Sequence, residues 1–169
     1  MKQLPFTVTN KEKDRSLCSL YTFANVFGDS DFLAPELKDG WADMNGMLLS
    51  EENAILNLTN GTSLEEQVVD QDGLPYERVI DFVEYPDTHE NVFVYPMRAI
   101  VCGSCHRFAI ATTSVNMVYL IDILAPNILA TPNLIASIFN AYKVISIGCF
   151  VSDRKPKVFT KKELEHIIW

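Results

Sequence analysis

Long apolar runs are missing from this 169-residue chain. Pro, Asn, Asp or Lys interrupts each of them short of the roughly 20 residues that a bilayer-spanning helix needs. Met1-Lys2-Gln3-Leu4-Pro5 has no apolar signal core, so the expectation is a soluble, cytoplasmic protein with no membrane role. Clustered cations are scarce as well. The chain has 14 Lys and Arg against 22 Asp and Glu, giving a formal charge of -8 and a pI near 4.8. Lys11 to Arg15 and Arg154 to Lys162 are short, interrupted runs. No nucleic-acid partner is expected, because tracking phosphates starts from a basic patch. Glycine is sparse, with Gly103 and Gly148 isolated, which excludes a P-loop or dinucleotide fingerprint. Neither an internal repeat nor a low-complexity linker is present.

A hydrophobic content of 48% supports one real core at this length, so residues 1–169 are expected to form a single domain. Such a core does not need disulfides. Cys18, Cys102, Cys105 and Cys149 are accordingly expected as free thiols.

Periodicity divides the chain into a helical first half and a strand-rich second half. Asp14 or Ser16 can cap a helix running to Phe27, with Leu17, Leu20, Tyr21, Ala24 and Phe27 at helical spacing and Gly28 as its stop. Residues 29–45 read as a structured loop with one helical turn. Ser50 is expected to cap a helix ending at Asn60-Gly61, and Ser63 with Glu66 to form the capping box of a second short helix. Tyr76 to Tyr85 leans towards helix. Strands are expected at Asn91 to Pro96, Ala99 to Cys102, Phe108 to Thr112, Val118 to Ile123 and Val144 to Ser152. Pro96 would mark an edge or bend. Thr131 and Pro132 open a helix to about Tyr142, and Thr160 with Glu163 opens a C-terminal one.

Chemistry-bearing residues occur in the order Cys18, His106, Asp122. A thiol, an imidazole and a carboxylate in sequence suit thiol-dependent acyl transfer, where the base activates the nucleophile and the acid orients the base. The first turn of a helix favours a thiolate at Cys18, through unpaired N–H groups and a partial positive charge. A hairpin turn centred on Ser114 would set Thr112 opposite Asn116, Ile110 opposite Val118, Phe108 opposite Leu120 and His106 opposite Asp122, all on one face. A two-residue turn at Val115-Asn116 would instead separate His106 and Asp122 onto opposite faces.

At these residues the chain resembles the papain-like cysteine peptidases, nearest the compact branch that cleaves double-glycine leaders in bacterial peptide exporters. Asp14 to Phe27 matches the cysteine helix, His106-Arg107-Phe108-Ala109-Ile110 the histidine strand and Tyr119-Leu120-Ile121-Asp122 the acid strand. The resemblance implies an α+β, papain-like fold with N-terminal helices packed on a C-terminal antiparallel sheet. It also implies Cys18 as nucleophile, His106 as base and then acid, and Asp122 as the orienting group. Two positions depart from the family. Glu12 stands where a Gln usually donates to the oxyanion, and an ionised carboxylate there would repel it. Ser19 stands where glycine commonly follows the cysteine. Asn10 and Asn25 are alternative donors outside the motif.

Cys102-Gly103-Ser104-Cys105-His106 also spells a c-type haem attachment motif and half of a zinc site. The run into a strand-like sequence and the absence of a second close cysteine pair argue against both, so no cofactor or metal is expected. The sequence therefore points to a cysteine peptidase, or a related thiol-dependent amide hydrolase or acyltransferase, acting on a peptide or protein. The alternative is a catalytically inactive interaction module of the same fold, which Glu12 favours.

Overall fold

The computed structural model describes residues 17–41, 47–125 and 128–164. Five helices occur in them: α1 (Cys18–Phe27), α2 (Pro35–Trp41), α3 (Leu49–Asn60), α4 (Tyr76–Val79) and α5 (Pro132–Ile138). Nine strands accompany them: β1 (Ser63–Val68), β2 (Leu74–Pro75), β3 (Asn91–Val101), β4 (Ser104–Thr112), β5 (Val118–Ile121), β6 (Leu129–Ala130), β7 (Lys143–Ser152), β8 (Lys155–Pro156) and β9 (Phe159–Thr160). The fold is α+β. Its antiparallel sheet runs β1-β7-β3-β4-β5-β6, with β2 and β8 also on β7 and β9 on β3.

Alternation along the strands gives the sheet two buried faces. On one, Val94, Ala109, Ala111, Tyr119, Ile121 and Phe150 meet Leu20, Phe23 and Ala24 of α1 and Ile55 and Leu56 of α3. On the other, Met97, Phe108, Ile110, Leu120 and Val144 meet Tyr76 and Val79 of α4 and Ile135 of α5. Helices thus cover both faces, which adds a layer to the expected N-terminal packing.

Several boundaries differ from the sequence expectation. Ser63 to Val68 is a strand, because pairing with Ser146 to Val151 of β7 overrides a capping-box spacing that carries little apolar periodicity. Pro96 lies inside one continuous β3, opposite Ala109. Ladder pairing with β7 begins only at Met97, so a missing donor at Pro96 falls where one flank of the strand has no ladder. Residues 30–33 and Pro35–Trp41 form a 3-10 turn and α2 rather than one helical turn in a loop. Ser50 lies inside α3, where Glu51 caps instead by accepting the Leu48 N–H at 2.8 Å. Helix α5 stops at Ile138, short of Tyr142. Tyr76 to Phe82 is helical in two short pieces, α4 and a 3-10 turn. Thr160 and Glu163 do exchange capping hydrogen bonds, although the helix expected beyond them falls largely outside the described residues. So do Asp14, Ser16, Asn10 and Glu12.

Gly28 ends α1 at φ 62° and donates its N–H to the Ala24 carbonyl, a left-handed stop that a side chain would strain. The β3–β4 hairpin turns on Cys102 (φ 50°) and Gly103 (φ 80°), the pair of positive angles that a two-residue turn needs. Cys102 and Cys105 are exposed free thiols at this hairpin.

Candidate active site

The site forms where β5 leaves β4. Strand β4 pairs with β3 from Ser104 to Thr112, but with β5 only from Ala109 to Thr112. One flank of β4 is therefore open at Arg107, and an open flank needs other partners for its backbone groups. Helix α1 supplies them from two positions four residues apart. The Arg107 N–H donates to Cys18 Sγ at 3.3 Å, and Thr22 Oγ1 donates to the Arg107 carbonyl at 3.1 Å. Cys18, the first residue of α1, is 2% exposed.

His106 and Arg107, being consecutive in a strand, point to opposite faces. The His106 imidazole stacks on Phe108 at 6.0 Å between centroids and meets the Tyr142 ring edge-on at 5.9 Å. Its Nε2–H donates to Asp122 Oδ1 at 2.7 Å, with the tautomer set by a carboxylate that only accepts. Asp122 Oδ1 also accepts the Leu124 N–H at 3.0 Å, and Oδ2 accepts the Tyr142 hydroxyl at 2.6 Å.

The observed register differs from the expected one. Ile110 faces Leu120 and Thr112 faces Val118, which centres the turn on Val115, with Asn116 in the left-handed region at φ 57°. By extension Asp122 comes level with Phe108 and reaches His106 diagonally. The shift is two residues, an even number, so the shared face survives.

Nδ1 of His106 is buried and has no hydrogen-bond partner of good geometry among the described residues. The Cys18 thiol is nonetheless close enough to act on the ring. Burial presses the imidazole pKa down, but the Asp122 hydrogen bond, the Cys18 thiol and the charges of both outweigh it and push the pKa up to about 9. The raised value favours a second proton on the ring, and with Nε2–H gripped by Asp122 the nitrogen left to take it is Nδ1.

Beside this pair is a cavity of about 150 Å³, lined among others by Cys18, Met47, Leu48, Arg98, Cys105 and His106. Its buried side is a charge network that the sequence reading missed. Arg98 and Arg107 are directly opposed on β3 and β4, a repulsive arrangement unless anions are shared between them. Glu52 and Glu66 provide these. Glu52 takes Arg107 Nε at 2.8 Å, Arg107 Nη2 at 2.9 Å and Arg98 Nη2 at 3.0 Å. Glu66 takes Arg107 Nη2 and the Ser146 hydroxyl. Burial pushes the Glu66 carboxyl up, but the two guanidinium charges and these hydrogen bonds hold it below the usual carboxylate range.

The structure brings Cys18, His106 and Asp122 together. Asn25 is not with them: it lies two turns along α1, and its amide donates to the Tyr21 carbonyl at 2.8 Å. His89 is at the surface on Ser114. Among the described residues no cluster of three or more His, Cys, Asp or Glu could hold a metal ion, and no helix is long and apolar enough to cross a membrane.

No protein-family model and no curated protein matches the chain. Among solved structures it is similar to the crystal structure of the Pseudomonas avirulence protein AvrPphB, with 14% identity and a TM-score of 0.46 over 85% of this chain and 95% of that one. A likeness of that degree carries no argument about activity, so the functional reading stands on the site itself.

Proposed function

We propose that the protein is a papain-like thiol-dependent amide hydrolase or acyltransferase, most simply a cysteine peptidase, with Cys18 as nucleophile, His106 as base and then acid, and Asp122 as the orienting group. One observation carries the reading: a buried imidazole is held by a carboxylate at Nε2, leaves Nδ1 without a hydrogen-bond partner, and lines one cavity with a thiol at a helix start. Transfer of the Sγ proton to Nδ1 gives a thiolate–imidazolium pair. The thiolate attacks a carbonyl carbon, and Nδ1–H then protonates the departing amine as the C–N bond breaks. Water, or another acceptor activated by the same nitrogen, releases the acyl group from sulfur. Asp122 remains ionised throughout and stabilises the imidazolium. Amides of the first turn of α1, which have no intrahelical acceptor, would supply donors for the oxyanion. The substrate is a peptide or protein; the leader-peptidase branch rests on the residue resemblance alone.

A second reading, an inactive protein-binding module of the same fold, draws on the 2% exposure of Cys18 and on the hydrogen bond its sulfur already accepts. Site-resolved iodoacetamide labelling by mass spectrometry across pH, in wild type and His106→Ala, separates the two. Selective labelling of Cys18 at neutral pH that is lost in the variant supports the catalytic reading. An inert Cys18, or one indifferent to His106, supports the binding module.

A further inference from the structure

Each of the two reacting residues is followed in sequence by a residue whose side chain is bound to the same carboxylate. Ser19, next to Cys18, donates its hydroxyl to Glu52 Oε2 at 2.8 Å. Arg107, next to His106, donates Nε to that same oxygen at 2.8 Å and Nη2 to Oε1 at 2.9 Å. Glu52 is 1% exposed on α3, an element that contributes neither reacting residue. We propose that Glu52 is a positioning residue, which fixes the distance between Cys18 and His106 by tying α1 to β4 through Ser19 and Arg107.

Helix α1 and strand β4 are distant in sequence, and no strand pairing joins them, since β4 is open at Arg107. Direct ties across this gap are the Cys18 and Thr22 bonds to the Arg107 backbone, and Cys18 is itself the reacting group. A thiolate leaving that bond to attack a carbonyl weakens the very contact that holds it in place. The Ser19–Glu52–Arg107 bridge does not depend on the thiol, so it keeps the helix start in place while sulfur chemistry proceeds. Glu66 belongs to the same charge network, binding Arg107, Arg98 and Ser146, yet none of its bonds reaches α1. That difference separates positioning from charge burial in general.

This role rests on the catalytic reading above, and the experiment keeps the two distinguishable. The rate of Cys18 alkylation by iodoacetamide is followed from pH 5 to 10 in wild type, His106→Ala, Glu52→Gln, Ser19→Ala and Glu66→Gln, with near-UV circular dichroism and thermal unfolding as folding checks. In Glu52→Gln the neutral-pH rate should fall by roughly tenfold or more and its pH profile move, as expected when reacting groups lose registration. Ser19→Ala, which leaves the arginine–glutamate contacts intact, should move the profile in the same direction by a smaller factor. Glu66→Gln, which loses a contact to Arg107 but none to α1, should lower the unfolding temperature and move the rate by a smaller factor than Ser19→Ala. Should Glu52→Gln fail to fold, Ser19→Ala decides. A His106-dependent wild-type profile that Glu52→Gln and Ser19→Ala leave unchanged, or that Glu66→Gln moves equally, overturns the positioning role alone. A wild-type Cys18 indifferent to His106 overturns the catalytic reading and this role with it.

Discussion

Replacing Asp122 by asparagine tests the electrostatic centre of the site without altering its shape. The His106 pKa rises from an ordinary 6.5 to about 9 because Asp122, with Cys18, outweighs the downward pull of burial. A shift of this size corresponds to roughly 3 kcal/mol of linkage between protonation and folding. Its sign follows from a raised folded-state value: the stabilisation is fully present below pH 6.5 and is lost as pH rises through about 9. In Asp122→Asn the amide oxygen can still accept Nε2–H, but the charge is gone, and burial pulls the imidazole back to 6.5 or below. The groups facing this ring are Asp122, Cys18, Tyr142 and Phe108, so Cys18→Ala isolates the share due to the thiol.

Two measurements check this. NMR titration of the imidazole protons should show wild-type His106 still cationic at pH 8 and the variant ring neutral at pH 7. Urea unfolding should find the variant destabilised most near pH 6, with the difference shrinking as pH passes 9. The lost hydrogen bond from Tyr142 to Asp122 Oδ2 leaves a remainder that does not vary with pH. The reasoning is refuted if wild-type His106 titrates near 6.5, or if Asp122→Asn costs as much at pH 10 as at pH 6.

Tyr142→Phe removes the 2.6 Å donor to Asp122 Oδ2, and urea unfolding should register a loss of about 1.5–3 kcal/mol, the range for a hydrogen bond to a charged group. Gly148→Ala would drive a Cβ into the backbone carbonyl of Glu65. Hydrogen exchange should therefore show β1 amides losing protection while β3–β4 amides keep theirs, and uniform loss would contradict a local effect. Glu66 has a depressed pKa, so it stabilises the fold above the ordinary carboxylate range and ceases to do so as pH falls through its lowered value. Glu66→Gln should correspondingly flatten the acid limb of the stability–pH curve, leaving the alkaline limb as it was.

What could be read from the sequence was whatever carried a local signal. Cys18 fell at the start of a run with apolar residues at helical spacing closed by Gly28, and the runs about His106 and Asp122 had strand composition. Their meeting depended on parity rather than on the assumed turn, since a register shifted by two residues still leaves both side chains on one face. The misread elements share a cause. Ser63 and Glu66 have cap spacing, yet Leu64 alone in that segment is an apolar residue buried in the core, and pairing with β7 decided the outcome. Pro96 looked like a break because its tolerance depends on which flank of β3 is paired, a tertiary property.

The charge network had one visible trace. Glu52 lies at helical spacing from Ile55 and Leu56, the buried positions of α3, and a carboxylate in a buried stripe requires a partner of opposite charge. Identifying that partner requires the β3–β4 register, because only a turn at Cys102-Gly103 sets Arg98 against Arg107. Once they are opposed, two buried-side cations at one sheet position demand shared anions, and α3 and β1 each deliver one. The same pairing fixes Arg107, and with it the amide aimed at Cys18 Sγ. A two-residue turn thus determines both where the imidazole stands and which carboxylate holds the strand beside the thiol.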